Sequence, residues 1–305
     1  MKLIIAGGNG FLGKVLCNHF AETNDIIVLS RGRSRVQDGI RYENWDAKSI
    51  GAWKSVLENA DVLINMVGRT VDCRYNEKNK KEILDSRIDS TSVLGKAIRQ
   101  CQNPPKLWIN SASATIYRHT EDREMDEETG EIGSGFSVEV CKAWEKCFFD
   151  FQLTSTRQVA IRTSIVLGKT GGAIKPLINL ARFGLGGKQG SGNQFFSWIH
   201  EQDFARAIEF IIQHENLTGP INVVSPKPIR NKELMKLIRE SVRMPFGLPM
   251  PKWMLEFGAR IIRTETELIL KSRNVIPSKL VQSGFQFNLA NIKDALNEIV
   301  SKRSR

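Results

Sequence analysis

The chain has 305 residues, 41% hydrophobic and 25% charged, enough for one α/β domain of ordinary size plus a smaller lobe. No apolar run approaches the roughly 20 residues that a helix needs to span a bilayer, so no membrane partner is expected, and five cysteines (Cys17, Cys73, Cys101, Cys141, Cys147) without a C-x-x-C pair argue against a disulfide framework or a zinc site. The net charge of +11 (44 Lys and Arg against 33 Asp and Glu) is spread along the chain, with compact basic runs only at 31–35 and 301–305; no aromatic platform or helix-turn-helix accompanies it, so no nucleic-acid partner is expected.

The first strand starts at residue 2 or 3, which leaves no room for a signal or transit peptide and gives the expectation of a cytoplasmic protein with reduced thiols. Leu3-Ile4-Ile5-Ala6 is a short apolar strand, and Gly7-Gly8-Asn9-Gly10-Phe11-Leu12-Gly13 turns it into a helix whose Phe11, Leu12, Val15, Leu16 and Phe20 share one face. Gly7, Gly10 and Gly13 have the spacing of a dinucleotide fingerprint. The first allows the tight turn, the second lets a pyrophosphate approach the backbone, and the third lets helix and strand pack closely. The amides at the helix start then face the phosphates.

Ile26 to Leu29 is a second strand, ending at Ser30 and Arg31. A carboxylate at that end would accept from a ribose 2′-hydroxyl; Ser30, Arg31, Arg33 and Arg35 stand there instead, which suits a 2′-phosphate. NADP(H) is therefore preferred over NAD(H). Two roles are open to Asp46 after the extended piece 41–45: acceptor for the adenine amino group, or N-cap of a helix over 47–58. Val62 to Gly68 is a buried strand whose final glycine lets the chain pass close to a cofactor. A long helix, 77–101, has an inner stripe of Leu84, Ile88, Thr91, Leu94, Ile98 and Cys101, and Pro104-Pro105 stops it.

The strand Leu107 to Asn110 leads into Ser111-Ala112-Ser113-Ala114-Thr115-Ile116-Tyr117. Gly7, Ser30, Gly68 and Ser113 all lie at carboxyl ends of strands, where a doubly wound parallel sheet binds its ligand. The acidic run 121–131 reads as a solvated loop, 136–151 as a helix and 159–162 as a return to the sheet. From Gly168 onward glycines are frequent and a helix contains 174–183. Trp198-Ile199-His200 closes this stretch, Asp203 and Asn231 are placed as helix caps, 221–224 as an edge strand, and 249–300 as helical with a break at Pro277.

These motifs resemble the extended and atypical short-chain dehydrogenase/reductases: Gly7 to Gly13, Asn65 to Gly68, Ser111-Ala112-Ser113 and Arg162 to Gly168. The match is closer to the branch named epimerase family proteins, often labelled sugar-nucleotide epimerases, through Phe183-Gly184-Leu185-Gly186-Gly187, Gly190-Ser191-Gly192, Gln194, Trp198-Ile199-His200 and Asp203. Val275 to Leu280 with Gly284 to Phe287 resembles that branch's small C-terminal domain of unknown function. The resemblance implies a Rossmann-type doubly wound parallel sheet with a smaller, mostly helical substrate lobe. Residues 1–165, with returns near 200–225, would bind NAD(P), and 166–200 with 226–305 would form the lobe. It also implies Val67, Ser111 and Arg162 at the cofactor.

In active members a Ser orients the substrate, a Tyr is the acid/base, and a Lys four residues later lowers the Tyr pKa. Ser113 matches the first role. The Tyr-x-x-x-Lys positions fall on Ser137 and Cys141 in one register and on Val138 and Lys142 in the next, so the tyrosine is missing. Tyr117 is open to two readings, substitute acid or packing residue. Lys142 can reach the nicotinamide ribose or face solvent. Gln194, Trp198 and His200 can line a substrate pocket or brace the glycine-rich loop and the core. The expected activity is an NADP-dependent epimerase or oxidoreductase acting by hydride transfer at a carbinol or carbonyl carbon of a small molecule, as monomer or homodimer; a non-catalytic NADP-binding sensor is the alternative.

Overall fold

A computed structural model describes residues 1–262 and 265–300; the basic run at 301–305 lies outside the described residues. The first half of the chain runs β1 (Lys2–Ala6), α1 (Phe11–Phe20), β2 (Asp25–Ser30), β3 (Arg35–Gln37), β4 (Ile40–Asn44), β5 (Val62–Asn65), α2 (Glu77–Ile98), β6 (Leu107–Ser113), α3 (Phe136–Phe149) and β7 (Arg157–Thr163). The second continues with β8 (Ile165–Leu167), α4 (Ile174–Arg182), β9 (Phe195–Phe196), β10 (Trp198–His200), α5 (Glu201–Gln213), β11 (Gly219–Val223), β12 (Ile229–Arg230) and α6 (Asn231–Ser241). Helices α7 (Lys252–Ile262), α8 (Glu267–Leu270), α9 (Ser278–Gln282) and α10 (Ile292–Val300) end it.

Eight strands form one sheet in the order β11-β7-β6-β5-β1-β2-β4-β3, parallel throughout except for the β3–β4 hairpin. Alternation of side chains along a strand explains why β1 is apolar at successive positions. Leu3 and Ile5 enter a core with Leu16, Phe20, Phe204 and Ile208, beneath α1 and α5. Ile4 and Ala6 enter the core on the opposite face with Leu94, Trp108 and Phe148, beneath α2 and α3. Leu3, Ile4 and Ile5 have no exposed surface, and each contributes about 1.5–3 kcal/mol by burial. A third core joins α4, α6 and α10 around Trp198.

Several local expectations are corrected. No α-helix fills 47–58: Ala47 takes a positive φ of 64°, Gly51 is extended, and only a 3-10 turn, Ala52–Leu57, buries Trp53 and Leu57. The inner face of α2 carries Ile83, Val93, Leu94 and Ala97, with Leu84 and Ile88 half-buried, because the helix packs on α3 as well as on the sheet. His200, not Asp203, caps α5, its Nδ1 accepting from the Gln202 amide. Asp203 instead accepts from the amides of Asn288 and Leu289, tying down the C-terminal arm. Asn231 is the first residue of α6 and binds the Gln189 amide rather than its own helix. The acidic run is more than a solvated loop. Met125 is buried and bridges to Val275, and Glu127 accepts from the Asn222 amide.

Candidate functional site

The carboxyl ends of the central strands open into two clefts joined at a waist. The first, about 700 Å³, is bordered by Asn9, Ser30, Arg31, Trp45 and Asp46. The second, about 530 Å³, is bordered by Tyr75, Arg87, Ser111, Ser113, Ser137 and Cys141. Gly7, Gly10 and the run Met66-Val67-Gly68-Arg69 border both.

The waist is built by close approach. Gly7 has φ +82°, and a Cβ on it would lie 3.1 Å from the Met66 carbonyl carbon; a Cβ on Gly13 would lie 2.5 Å from Gly7 O and Gly8 Cα. The chain can cross under β5 only with glycine at these positions. Gly8 is turned down onto Val28 and does not border either cleft. Helix α1 starts at Gly10 with no side-chain cap and no acidic residue in its first turn, so its leading amides point at the waist without a carboxylate to satisfy them. Phe11, Leu12 and Gly13 form the adjoining wall of the second cleft.

The other wall of the waist rests on a buried polar network. Asn65 Nδ2 donates to Asn110 Oδ1 at 2.7 Å, and Asn65 Oδ1 accepts from the Val67 amide at 3.1 Å. Thr91 Oγ1 accepts from Trp144 Nε1 at 3.0 Å and donates to Asn110 Oδ1 at 3.3 Å. Such a network in a low-dielectric interior fixes the loop above it.

At the far end of the first cleft Ser30 Oγ and Trp45 Nε1 are buried and have no partner among the described residues. Arg31 borders the cleft there. Arg33 is exposed on the adjoining turn and does not border it; Arg35 lies over the Tyr42 ring, 4.1 Å from its centre. Asp46 borders the cleft, but its carboxylate is engaged by its own turn. Bonds from Ser49 Oγ and from the Ser49 and Lys48 amides hold its pKa down at about 2.

An uncapped helix start, a glycine-lined waist and unpaired polar groups beside Arg31 fit a dinucleotide laid across both clefts. Gly7, Gly10, Phe11, Leu12, Gly13, Val67, Gly68 and Ser111 would hold its middle and one arm, and Asn9, Ser30 and Arg31 the other.

Besides Gly8 and Arg33, six residues named from the sequence are not brought to the cleft. Tyr117 is buried, its hydroxyl donating to Asn222 Oδ1 and accepting from Arg162 Nη1, both at 2.9 Å. Arg162 is the partner of Glu145 through two bonds of 2.7 and 2.8 Å and so holds α3 to β7 rather than a cofactor. Lys142 is exposed and paired with Glu139. Gln194 Nε2 donates to Gln189 O within the glycine-rich loop. Trp198, fully buried, donates to Lys227 O, and His200, fully buried, contacts Glu298 at 3.0 Å. These three brace the lobe. Ser113 does border the second cleft, its Oγ accepting from the Thr115 amide.

The second cleft also holds Tyr75 and Arg87, which have no assignment from the sequence, beside Ser137 and Cys141, the Tyr-x-x-x-Lys positions of the first register. Tyr75 comes from the loop before α2, its ring edge-on to Phe136 at 5.0 Å, and Ser137 lies beside it in the cleft wall. Burial, together with nearby Glu267, holds the Tyr75 phenol above the usual tyrosine range. Ser137 Oγ in turn donates to Glu267 Oε2 at 3.1 Å. Cys141 is pushed up to about 11 by burial, so its thiol stays protonated. Arg87 was detectable in principle, as a charge four residues from both Ile83 and Thr91 on a buried helix face. Tyr75, on an aperiodic loop, gave no such signal.

Two family descriptions match the chain: the NAD dependent epimerase/dehydratase family over residues 3–224 and a domain of unknown function, DUF1731, over residues 250–299. Epimerase family protein YfhF of Bacillus subtilis is 30% identical over 99% of both chains. Mouse epimerase family protein SDR39U1 is 30% identical over 99% of this chain and all of its own length. The crystal structure of human epimerase family protein SDR39U1 (isoform 2) with NADPH superposes with a TM-score of 0.85, at 28% identity, over 98% of this chain and 99% of that one.

Proposed function

The chain belongs to the NAD dependent epimerase/dehydratase family, and on that footing we propose that it is an NADP(H)-dependent oxidoreductase or nucleotide-sugar epimerase, working at a carbinol or carbonyl carbon of a small molecule. The observation that carries this reading is the pair of clefts meeting at the glycine waist, one ending at Ser30 and Arg31 and the other at Ser113. Residues 1–165, with the returns near 200–225, serve as the nucleotide-binding part. Residues 166–200 and 226–305 serve as the covering lobe, which reaches the second cleft through the bond of Glu267 to Ser137.

A nicotinamide bound in the second cleft supplies a hydride donor or acceptor. The chain's part is to place the substrate oxygen near Ser113 Oγ and to move a proton. Tyr75, rather than Tyr117, is the tyrosine of this cleft; its phenol carries its proton at neutral pH and can donate it, and burial makes it a weaker acid than an exposed tyrosine. The reading as a non-catalytic NADP-binding sensor is favoured by one observation: α3 offers Ser137 and Cys141 to the cleft and turns Lys142 to solvent.

Fluorescence titration with NADPH and NADH tests the cofactor assignment. NADPH is expected to bind at least about tenfold more tightly, and Arg31→Asp to remove most of that margin. Equal affinity in the unmodified protein would overturn the NADP preference, and failure to bind either nucleotide would overturn the whole reading.

A further inference from the structure

The second cleft contains a cation without a counter-ion. Arg87 stands on the inward face of α2, where Nη1 donates to the carbonyl oxygens of Arg69 at 3.1 Å and Ile83 at 2.9 Å. Its guanidinium carbon lies 5.0 Å from the centre of the Trp144 ring. These contacts fix the plane of the fork. None of them neutralises it. Among the described residues no carboxylate pairs with Arg87; the ionisable groups near enough to sense its charge are the Cys141 thiol and the Tyr75 phenol, both protonated at neutral pH. Burial accordingly presses the Arg87 pKa below the usual arginine value. A charge taken out of water without compensation is costly by several kcal/mol, so the arrangement is complete only with an anion.

The fork borders the cleft. A Cβ on Gly68 would lie 3.2 Å from the guanidinium carbon and 3.3 Å from Nη2, so a side chain there would press on the guanidinium at the cleft wall. Behind the same cleft Lys271 is paired with Glu267 at 3.9 Å, its Nζ also donating to the carbonyl oxygen of Thr115, a cleft residue, at 3.2 Å. Glu267 thus has its own cation and does not serve Arg87.

We propose that the substrate of this cleft is a small carbonyl or hydroxy compound bearing an oxyanion, a carboxylate or a phosphate, and that Arg87 holds that oxyanion through its N–H fork. The proposal rests on the reading of the cleft as the substrate side of a nucleotide site. The diphosphate of the dinucleotide carries the same oxyanion chemistry, and the test separates the two sources.

Protein saturated with NADPH is titrated with oxalate and, separately, with inorganic phosphate at constant ionic strength, following the fluorescence of bound NADPH and the thermal midpoint. The unmodified protein is expected to give a saturable response to at least one anion. Arg87→Met is expected to weaken that response at least about tenfold while NADPH affinity changes less than about twofold. An NADPH affinity lowered about tenfold with the anion response intact would give Arg87 to the cofactor diphosphate and overturn the proposal. A protein that binds NADPH but responds to neither anion would overturn it too, leaving the nucleotide reading standing. Absence of NADPH binding would remove both. Should Arg87→Met fail to fold, Cys141→Asp places a carboxylate beside the guanidinium; it is expected to abolish the anion response by internal pairing, and an unchanged response would refute the assignment.

Discussion

In the paired clefts Ser30 Oγ and Trp45 Nε1 have no hydrogen-bonding partner, and Arg87 no carboxylate, among the described residues, whereas in the glycine-rich lobe Gln194, Trp198 and His200 are bonded to Gln189 O, Lys227 O and Glu298. Both regions are rich in glycine and polar residues, and both look like sites in the sequence. The difference lies in who satisfies the polar atoms. Where the chain completes its own hydrogen bonds, a buried polar residue holds the fold; where it leaves them open beside a cavity, a ligand has somewhere to bind. Arg162 on β7 and Arg87 on α2 make the same point against α3: the first has Glu145, and the second has, among the described residues, only backbone carbonyls, the Trp144 face and protonated neighbours.

The most severe way to probe this contrast is Glu145→Ala. It leaves the buried Arg162 charge unpaired, so we expect a loss of about 3–5 kcal/mol in urea unfolding, with NADPH affinity of the folded fraction unchanged. A loss under about 1 kcal/mol would show that this pair is not the internal counterpart of Arg87. Gly13→Ala comes next. Its methyl would overlap Gly7 O and Gly8 Cα, lowering stability by about 1–3 kcal/mol and NADPH affinity at least about tenfold; normal binding would move the phosphates away from the waist.

The mildest expected effect is a pH dependence. Burial raises the Cys17 and Cys141 thiols from 9.0 to about 11. Above pH 9 the unfolded chain releases protons that the folded protein still holds. Their stabilisation is therefore complete below pH 9 and lost as pH rises toward 11. Unfolding free energies measured across that interval should fall in the unmodified protein and fall less in Cys17→Ser, Cys141→Ser. Alkylation of Cys141 at pH 8 should correspondingly be slow, despite its place in the cleft wall.

The sheet and the β1–α1 crossing were legible because their signals are local: a four-residue apolar run, then glycines at fixed spacing. Ser113 was legible for a related reason, since it lies at the end of a recognisable strand. Tyr117 and Arg162 misled because sequence spacing brings them near strand ends without saying that Asn222 and Glu145, from distant elements, would engage them. Tyr75 and Ser137 meet across residues far apart in the chain, through loop geometry that no periodicity encodes. The helix caps assigned to Asp203 and Asn231 failed likewise: each was the right residue type, but long-range amides outcompeted the local ones.

The position of β11 beside β7 shapes how the protein is made. The chain leaves the main sheet after Thr163 and returns to it only at Gly219. At about 5–20 residues per second, a ribosome needs on the order of 3 to 11 s to make the interval. During that time the outer edge of β7 offers bare amides and carbonyls to any neighbouring nascent strand. Glu145 and Arg162 have already emerged by then, so their ion pair can form early, while Asn222 arrives late to close the Tyr117 hydroxyl.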